Sequence, residues 1–435
     1  MNLKINLSKI LFGYGLAIFP LFLLIGPLIS ELFLISVIFF SIFFIIKEKK
    51  YNFYLNRFAF FFLLFYLSTI FSTILNFYNF DYTKGGILYF RIPLFALSLW
   101  FILDNYNLFN KKIILFYILF FIILFFDALV QYYTGKNLIG YELIKNRISS
   151  FFDSELILGG FITRILPIFL IYLVMNDTFN DGKINLYYSA LISLGCVIVY
   201  LSGERTSFGL LILFFSSLFF FNKHFRKLII IITIMSVILS IVIPSLNKNE
   251  NLSPTNRMFE KTFAQVIGKG EERYEEKKKK LFNKFYIFSH DHHGHYVLAL
   301  KIFKDHIFFG TGTKGFRYLC RNKIYILDDN DGCSTHPHNT YIQILVSNGL
   351  IGFLLITFAF VYILREMFLC KKEINSQNKF DKIEVSKLIA LSAIFINLWP
   401  IVPSGNFFNN WISMIYSYPV GFYLYFKFKN EEQVS

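Results

Sequence analysis

The sequence predicts an all-α fold: a polytopic transmembrane helical bundle of about twelve spans, with one large outward loop region that contains short helices. The chain of 435 residues is 55% hydrophobic and 20% aromatic, which is too apolar for a soluble domain of this size. Charged residues make up only 16% of the chain and are clustered between long apolar runs. Such runs cross a bilayer as helices, because a helix satisfies its own backbone hydrogen bonds there.

Taken in order, the apolar runs divide the chain into three regions. Residues 1–244 hold nine spans, of which the first two are joined by a tight break at Ser30. Residues 245–339 are mostly polar and form a loop domain, and residues 340–435 hold three more spans and a cytoplasmic tail. The predicted spans are 10–29, 31–46, 58–75, 86–103, 113–131, 156–175, 186–201, 206–221, 227–244, 341–364, 388–403 and 410–426.

The distribution of basic residues predicts the orientation of these spans. Lys and Arg are enriched after every second span, except in the loop at about 176–185, which has only Lys183. This alternation places both termini in the cytoplasm and the segment 245–339 outside. The formal net charge of +15 therefore reflects basic loops facing anionic lipid, and no nucleic-acid partner is expected. The charged run at 271–280 is interpreted as a solvated helix face rather than a binding patch.

The most informative motif is CSTHPHNT at 333–340, which leads directly into an apolar helix. Pro337 restricts the residue before it, so His336 is expected to be extended, and Asn339 or Thr340 can cap the helix. The two histidines then lie at the membrane surface. A capped helix entry with two solvated histidines is the alternative, and a metal site is less favoured because no HExxH or cysteine-rich set accompanies them.

A second polar turn, SGERTS at 202–207, lies between two apolar spans on the same outward side. Charge at a membrane interface is a functional hypothesis by default, so Glu204 and Arg205 are candidate functional residues. The alternative is an ion pair between the two that satisfies only itself. The polar loop before the sixth span contributes Arg147 as a further candidate contact.

The outward segment also contains two cysteines and a glycine-rich turn. Cys320 and Cys333 can pair in an oxidising compartment, which would gain roughly 3 kcal/mol and tie Arg317 close to the histidines. The turn at 310–315 could form a phosphate-cradling nest beside Lys314, with an ordinary loop as the alternative. The histidine-dense stretch at 289–295 could bind metal, but its irregular spacing defines no ligand set.

Together, outward histidines and arginines suit a lipid-linked diphosphate sugar. Arginine binds phosphate oxygens with a bidentate fork, and a histidine can take a proton from an acceptor hydroxyl. A neutralised diphosphate is a good leaving group, so no nucleotide, cofactor or metal is expected. The apolar bundle would hold the polyprenyl tail among membrane lipid.

At these residues the sequence resembles the bacterial O-antigen ligase and O-antigen polymerase family. The resemblance rests on HPHN followed by TYIQILVSNGLIGF, on the preceding KIFKDHIFFGTGTKGFRYLC, and on LSGERTSF, and it covers about residues 120–365. It implies an inverting, metal-independent glycosyl transfer from undecaprenyl diphosphate at the periplasmic face of the inner membrane. It also implies that His338 is the key histidine and that Arg205 is the arginine of the mid-chain turn.

One departure from the family concerns a second arginine. Many members carry an arginine shortly before the helix that begins near Tyr296, where this sequence has His292, His293 and His295. Arg317 is the expected substitute. The predicted catalytic residues are His338 and Arg205, and the predicted substrate-binding residues are Arg317, His336, Glu204, Lys314, Asn339 and Arg147.

Three functions remain open at this point. An O-antigen ligase would join a lipid-linked glycan donor to lipid A-core, and a polymerase would use a second lipid-linked glycan as the acceptor. A non-enzymatic flippase or transporter would explain Arg91, Arg164 and Asp127 in or near the spans. It is less favoured, because no convincing internal repeat is present and the densest polar chemistry lies in one outer loop.

Overall fold

The structure is a computed structural model that describes residues 9–76, 80–177, 185–247, 254–260, 262–263, 290–325, 332–376 and 380–434. Within these ranges the chain is helical and contains no strand, which confirms the predicted all-α class. The helices used in the following description are α1 (Phe19–Ile25), α2 (Pro27–Glu48), α3 (Arg57–Leu75), α4 (Phe80–Ile87), α5 (Arg91–Asn105), α6 (Lys111–Thr134), α7 (Leu158–Met175), α8 (Leu186–Leu201), α9 (Arg205–Phe221), α10 (Arg226–Ser245), α11 (His290–Asp305), α12 (Gly315–Leu319), α13 (Thr340–Ser376), α14 (Lys382–Asn397) and α15 (Asn410–Val434).

Helical structure coincides with each predicted span, and seven segments of the described part of the chain are apolar and long enough to cross a membrane. Within the described residues α8 and α9 add two shorter apolar helices. The chain is therefore a multi-span helical membrane protein, and the count of twelve spans remains a prediction. The seven long segments are Pro27–Glu48, Arg57–Leu75, Tyr82–Asn105, Lys111–Thr134, Leu158–Met175, Lys223–Ser245 and Thr340–Ser376.

Several helix ends differ from their predicted positions, and glycine and proline explain two of them. The first break lies at Gly26 rather than at Ser30, because Gly26 has a φ of 146° and Pro27 begins α2. The helix α14 ends at Asn397, short of the predicted end, since Pro400 follows closely and cannot continue a helix. The residues after α14 therefore form a loop that packs on the histidine motif.

Two helices, α7 and α14, occupy the centre of the bundle. Nearly all of their residues are buried, including the polar Thr163, Ser392 and Lys387. Lys387 pairs with Glu384 one turn earlier, so a buried charge is neutralised inside the bundle. The outer helices α2, α3 and α10 expose large apolar side chains, as expected for helices that contact lipid.

The long helix α13 contains a break at Gly349, where φ is 66° and ψ is −162°. The glycine-rich turn that precedes α12 packs into this region. The N–H groups of Thr311 and Gly312 donate to the carbonyls of Val346 and Ser347, each at 2.8 Å. The turn therefore joins the loop domain to α13 through backbone hydrogen bonds.

This packing decides between the two interpretations of the glycine-rich turn. The amides of Gly310, Gly312 and Gly315 donate to carbonyls of the protein, so they do not point together toward a phosphate. Of the two alternatives, these bonds favour a structural loop, in which the glycines allow a close approach between backbones. A contact between Lys314 and substrate remains a prediction.

Candidate functional site

The histidine motif is held in place by the loop at 398–409. The side-chain oxygen of Asn339 accepts the N–H groups of Tyr341 and Ile342 at 3.0 and 3.1 Å and so caps α13. Its side-chain nitrogen donates to the carbonyl of Pro400 at 2.8 Å. Of the two predicted caps Asn339 is the one used, and these bonds give its amide a positioning role within the protein.

His338 has an unusual backbone conformation, with a φ of 57°. This left-handed region is uncommon for residues other than glycine, although His, Asn and Asp tolerate it better than most. The carbonyl of His338 accepts the N–H of Ser404 at 2.9 Å and lies 3.5 Å from the Tyr296 hydroxyl. Contacts from two other elements therefore fix the backbone of this turn.

Four histidine rings meet at this end of the bundle, which we call the histidine end. The ring centroids of His336 and His338 are 4.0 Å apart, and His295 and His292 on α11 lie 5.2 and 5.5 Å from His338. The sequence interpretation did not join α11 to the motif, because the two are distant in the chain. In the described part of the chain, no group of three or more side chains is arranged to hold a metal ion.

Burial and neighbouring charge keep the two motif histidines neutral. Burial is the main cause that lowers the pKa of His336 to about 4, with repulsion from Arg317 and the α11 imidazoles added to it. Burial, followed by the other three imidazoles, lowers the pKa of His338 to about 3. A neutral imidazole keeps one unprotonated nitrogen, so His338 can accept a hydrogen bond from a hydroxyl at neutral pH, and its lowered pKa makes it a weaker base than a free histidine.

Arg317 on α12 lies close enough to His336 to disfavour the charged form of that ring. A disulfide between Cys320 and Cys333 joins α12 to the histidine motif. The Nε atom of Arg317 is buried and has no hydrogen-bond partner among the described residues. Arg317 is thus held beside the histidines, as expected from the cysteine positions.

Glu204 does not pair with its neighbour Arg205 but caps α7. Its carboxylate oxygens accept the N–H groups of Gly159 and Gly160 at 2.7 and 2.9 Å, at the positive end of the α7 dipole. The guanidinium of Arg147 lies 3.9 Å away. Burial raises the pKa of Glu204, and the hydrogen bonds and Arg147 oppose this. The carboxylate therefore holds α7 and the SGERTS turn together.

Three arginines surround the SGERTS turn. Arg147 and Arg257 each donate through Nε to a backbone carbonyl of the turn, at 3.2 and 3.0 Å. Arg205 is exposed at the start of α9. Burial and mutual repulsion of the guanidinium groups lower the pKa of Arg147 and of Arg257. Glu204 offsets only part of this positive charge, so the arginine group attracts anions.

The sequence alone does not single out Arg257, which is an isolated cation in a long polar segment. Tertiary contacts bring it to the turn. Thr255 is hydrogen-bonded to the hydroxyl of Tyr200, and Phe259 packs edge-on against Phe208. These contacts on both sides of Arg257 place its guanidinium over the SGERTS turn.

The side chain of Arg164 connects the arginine group to the region of the histidines. It donates to the carbonyl of Gly160, the residue that Glu204 caps, at 2.8 Å, and to the hydroxyl of Tyr416 at 3.1 Å. Tyr416 lies in the first part of α15, just after the loop at 398–409 that holds the histidine motif. The arginine group and the histidines therefore lie at the same end of the bundle.

An apolar cavity of about 380 Å³ lies between α3, α5, α13, α14 and α15. Aromatic and aliphatic side chains form most of its wall, including Phe65, Ile92 and Phe358. Phe358 is also exposed at the bundle surface. Tyr416, the partner of Arg164, lines the same cavity, so the cavity adjoins the polar site.

Two of the charged residues that favoured a transporter have structural roles. The buried carboxylate of Asp127 accepts the N–H of Leu138 at 2.9 Å and the hydroxyl of Ser150, which braces the loop that carries Arg147. Arg91 pairs with Glu31 and donates to Asn410 at 2.7 Å. These contacts tie helices and loops together, which accounts for both charges without a transport path.

Fold and site together define the class: a multi-span helical membrane protein with arginines and histidines gathered at one end of its bundle. Comparison with known families makes this more specific. Residues 188–357 match the O-antigen ligase family, which confirms the resemblance seen in the sequence. The matched segment includes the SGERTS turn, Arg257 and the histidine motif. No curated protein sequence matches the chain.

This family implies a glycosyl transfer of the O-antigen ligase or polymerase type, with lipid-linked glycans as substrates. The family and the apolar helices together indicate a multi-pass protein of the inner membrane.

Proposed function

We propose that the protein is an O-antigen ligase. It transfers a glycan from undecaprenyl diphosphate to a hydroxyl group of lipid A-core at the periplasmic face of the inner membrane. The observation that carries the proposal is a neutral, partly exposed His338 at the same end of the bundle as three arginines. A base and an anion site are the two groups that transfer from a diphosphate donor needs.

His338 serves as the general base. It takes the proton of the acceptor hydroxyl while the hydroxyl oxygen attacks the anomeric carbon of the donor sugar. The bond from that carbon to the diphosphate oxygen breaks, and undecaprenyl diphosphate leaves with the electron pair. A single displacement of this kind inverts the configuration at the anomeric carbon. General-base assistance contributes about 10²–10⁴ in rate.

The arginine group holds the diphosphate. Arg205 lies at the surface and donates through Nη1 to the Thr262 hydroxyl at 3.4 Å, while Arg147 and Arg257 bind the turn through Nε. The three guanidinium groups together supply the donors for phosphate oxygens. Guanidinium charges stabilise the negative charge that develops on the leaving group. Arg257 and Arg317 are both candidates for the family's second arginine, and Arg257 is favoured because it stands beside Arg205.

The apolar cavity holds part of the undecaprenyl chain. Its aromatic and aliphatic wall suits a hydrocarbon tail, and its contact with Tyr416 and Arg164 leads from the lipid region to the arginine group. A tail in this cavity would bring the diphosphate to the end of the bundle where His338 lies. No step requires a metal ion or a nucleotide.

Deletion of the gene tests the proposal and distinguishes a ligase from a polymerase, which is the nearest alternative. Loss of a ligase leaves lipopolysaccharide as bare core, whereas loss of a polymerase leaves core with one repeat unit. We expect bare core, with the full ladder restored by the wild-type chain on a plasmid. Core with a single repeat unit would show that the protein is a polymerase rather than a ligase. An unchanged ladder would refute both.

A further inference from the structure

The two histidines that α11 contributes lie directly against His338. The ring of His295 stacks on it, with centroids 5.2 Å apart and an interplanar angle of 30°. The ring of His292 meets it edge-on at 5.5 Å and 72°. His292 and His295 are separated by one helical turn, so α11 presents both rings from the same face.

One hydrogen bond sets the tautomer of His295. Its Nδ1 lies 3.0 Å from the carbonyl oxygen of Gly332, and a carbonyl only accepts, so Nδ1 carries a proton. Gly332 directly precedes Cys333, whose disulfide to Cys320 holds this acceptor in place.

We propose that His292 and His295 are positioning residues for His338, which fix the orientation of its ring and keep that ring uncharged. The inference rests on the proposed function, in which His338 is the base. Among the residues that the structure describes, the titratable and charged groups that face the cluster are His292 and His295 from α11, His336 from the motif itself and Arg317 from α12. All of them are neutral or positive, so each added proton disfavours the next.

A change in the pH dependence of transfer follows from this arrangement. Burial is the largest cause that lowers the pKa of His338, and the three neighbouring imidazoles are the next. Replacing one imidazole with an uncharged side chain removes part of the repulsion, so the pKa of His338 rises. Transfer needs neutral His338. As the pH is lowered, the variant should therefore lose transfer activity at a higher pH than the wild type does. Its activity should also fall less steeply with pH.

His295→Gln and His292→Gln are the variants that test this, with His306→Gln as the matched control. Glutamine keeps a donor for the Gly332 carbonyl but does not titrate, and His306 lies just beyond α11, outside the cluster. Transfer is measured against pH in membranes. In parallel, carbethoxylation of His338 by diethyl pyrocarbonate is followed against pH in purified protein by mass spectrometry. The second measurement does not depend on activity.

We expect His338 to titrate at a higher pH in both cluster variants and to be unchanged in His306→Gln. We also expect kcat to fall while the KM for the donor stays the same. If one variant fails to accumulate, the other carries the test. An unshifted His338 titration in the variants would overturn the proposal, even if the chain transfers glycan. A shifted titration in a chain without transfer would support the coupling of the rings and refute the ligase function instead.

Discussion

At the scale of single residues, His338 combines a left-handed backbone with a neutral ring, and substitutions can separate the two. His338→Ala removes the base but also strains a backbone with a φ of 57°. Asparagine tolerates this conformation and carries no basic nitrogen, so His338→Asn removes the base alone. We expect either variant to lose transfer by about 10²–10⁴ while donor binding is retained.

The measurement is transfer of lipid-linked glycan in membranes, with the amount of protein checked in parallel. His336→Ala is the comparison, because His336 is buried and bonded to Thr335 rather than exposed to an acceptor. We expect a smaller loss from this change. An active His338→Asn beside an inactive His336→Ala would show that His336 is the base.

Arg257 tests the proposed anion site at the same scale. Arg205→Ala and Arg257→Ala should each raise the KM or Kd for the donor by roughly tenfold to a hundredfold, the range for one charged hydrogen bond. Lysine at either position should restore only part of the donor affinity, because lysine lacks the bidentate fork of arginine. Arg226→Ala, at the start of α10 and the opposite end of the bundle, is the control. Unchanged donor binding in Arg257→Ala would remove this residue from the site.

At the scale of elements, the break in α13 depends on one glycine. A Cβ at Gly349 would collide with the backbone of Phe308, and the φ of 66° disfavours any other residue there. We expect Gly349→Ala to destabilise the protein by about 1–3 kcal/mol, seen as a lower melting temperature in detergent. Gly209→Ala is the matched control, because nothing lies near its Cβ position in α9. Equal melting temperatures for both variants would contradict this role.

The link between α12 and the histidine motif gives a second prediction for elements. Two of the four cysteines, Cys320 and Cys333, should be oxidised in purified protein, whereas Cys196 and Cys370 are free and buried. Alkylation after denaturation should therefore label two cysteines without reductant and all four with it. Cys320→Ser should also weaken transfer, because Arg317 loses its tether. Four labelled thiols without reductant would disprove the bond.

At the scale of the whole molecule, the alternation of basic loops predicts that both termini lie in the cytoplasm and the segment 245–339 in the periplasm. A reporter fused at Asn251 should give a periplasmic signal, and one fused at Gln377 a cytoplasmic signal. Both positions lie outside the described residues, so the fusions test topology independently of the structure. The reverse pattern would place the histidines on the wrong side for a periplasmic acceptor.

The sequence by itself was sufficient for properties that depend on local pattern. Apolar runs predicted the helices, because a bilayer-spanning segment must be long, apolar and internally hydrogen-bonded. A cap at Asn339 or Thr340 was predicted from position alone, since capping involves only the next few residues, and the structure uses Asn339. The HPHN and SGERTS motifs pointed to the family that the comparison then confirmed.

Only the tertiary structure decided which distant residues share the site. The rings of His292 and His295 reach His338 because α11 packs on α13, and Arg257 reaches the SGERTS turn through contacts of its neighbours. The same packing places the carboxylate of Glu204 at the N-terminus of α7. Such contacts join residues far apart in the chain, and periodicity and spacing carry no information about them. The physical reason is that helix propensity is local, whereas a site at the end of a bundle is set by how the helices pack.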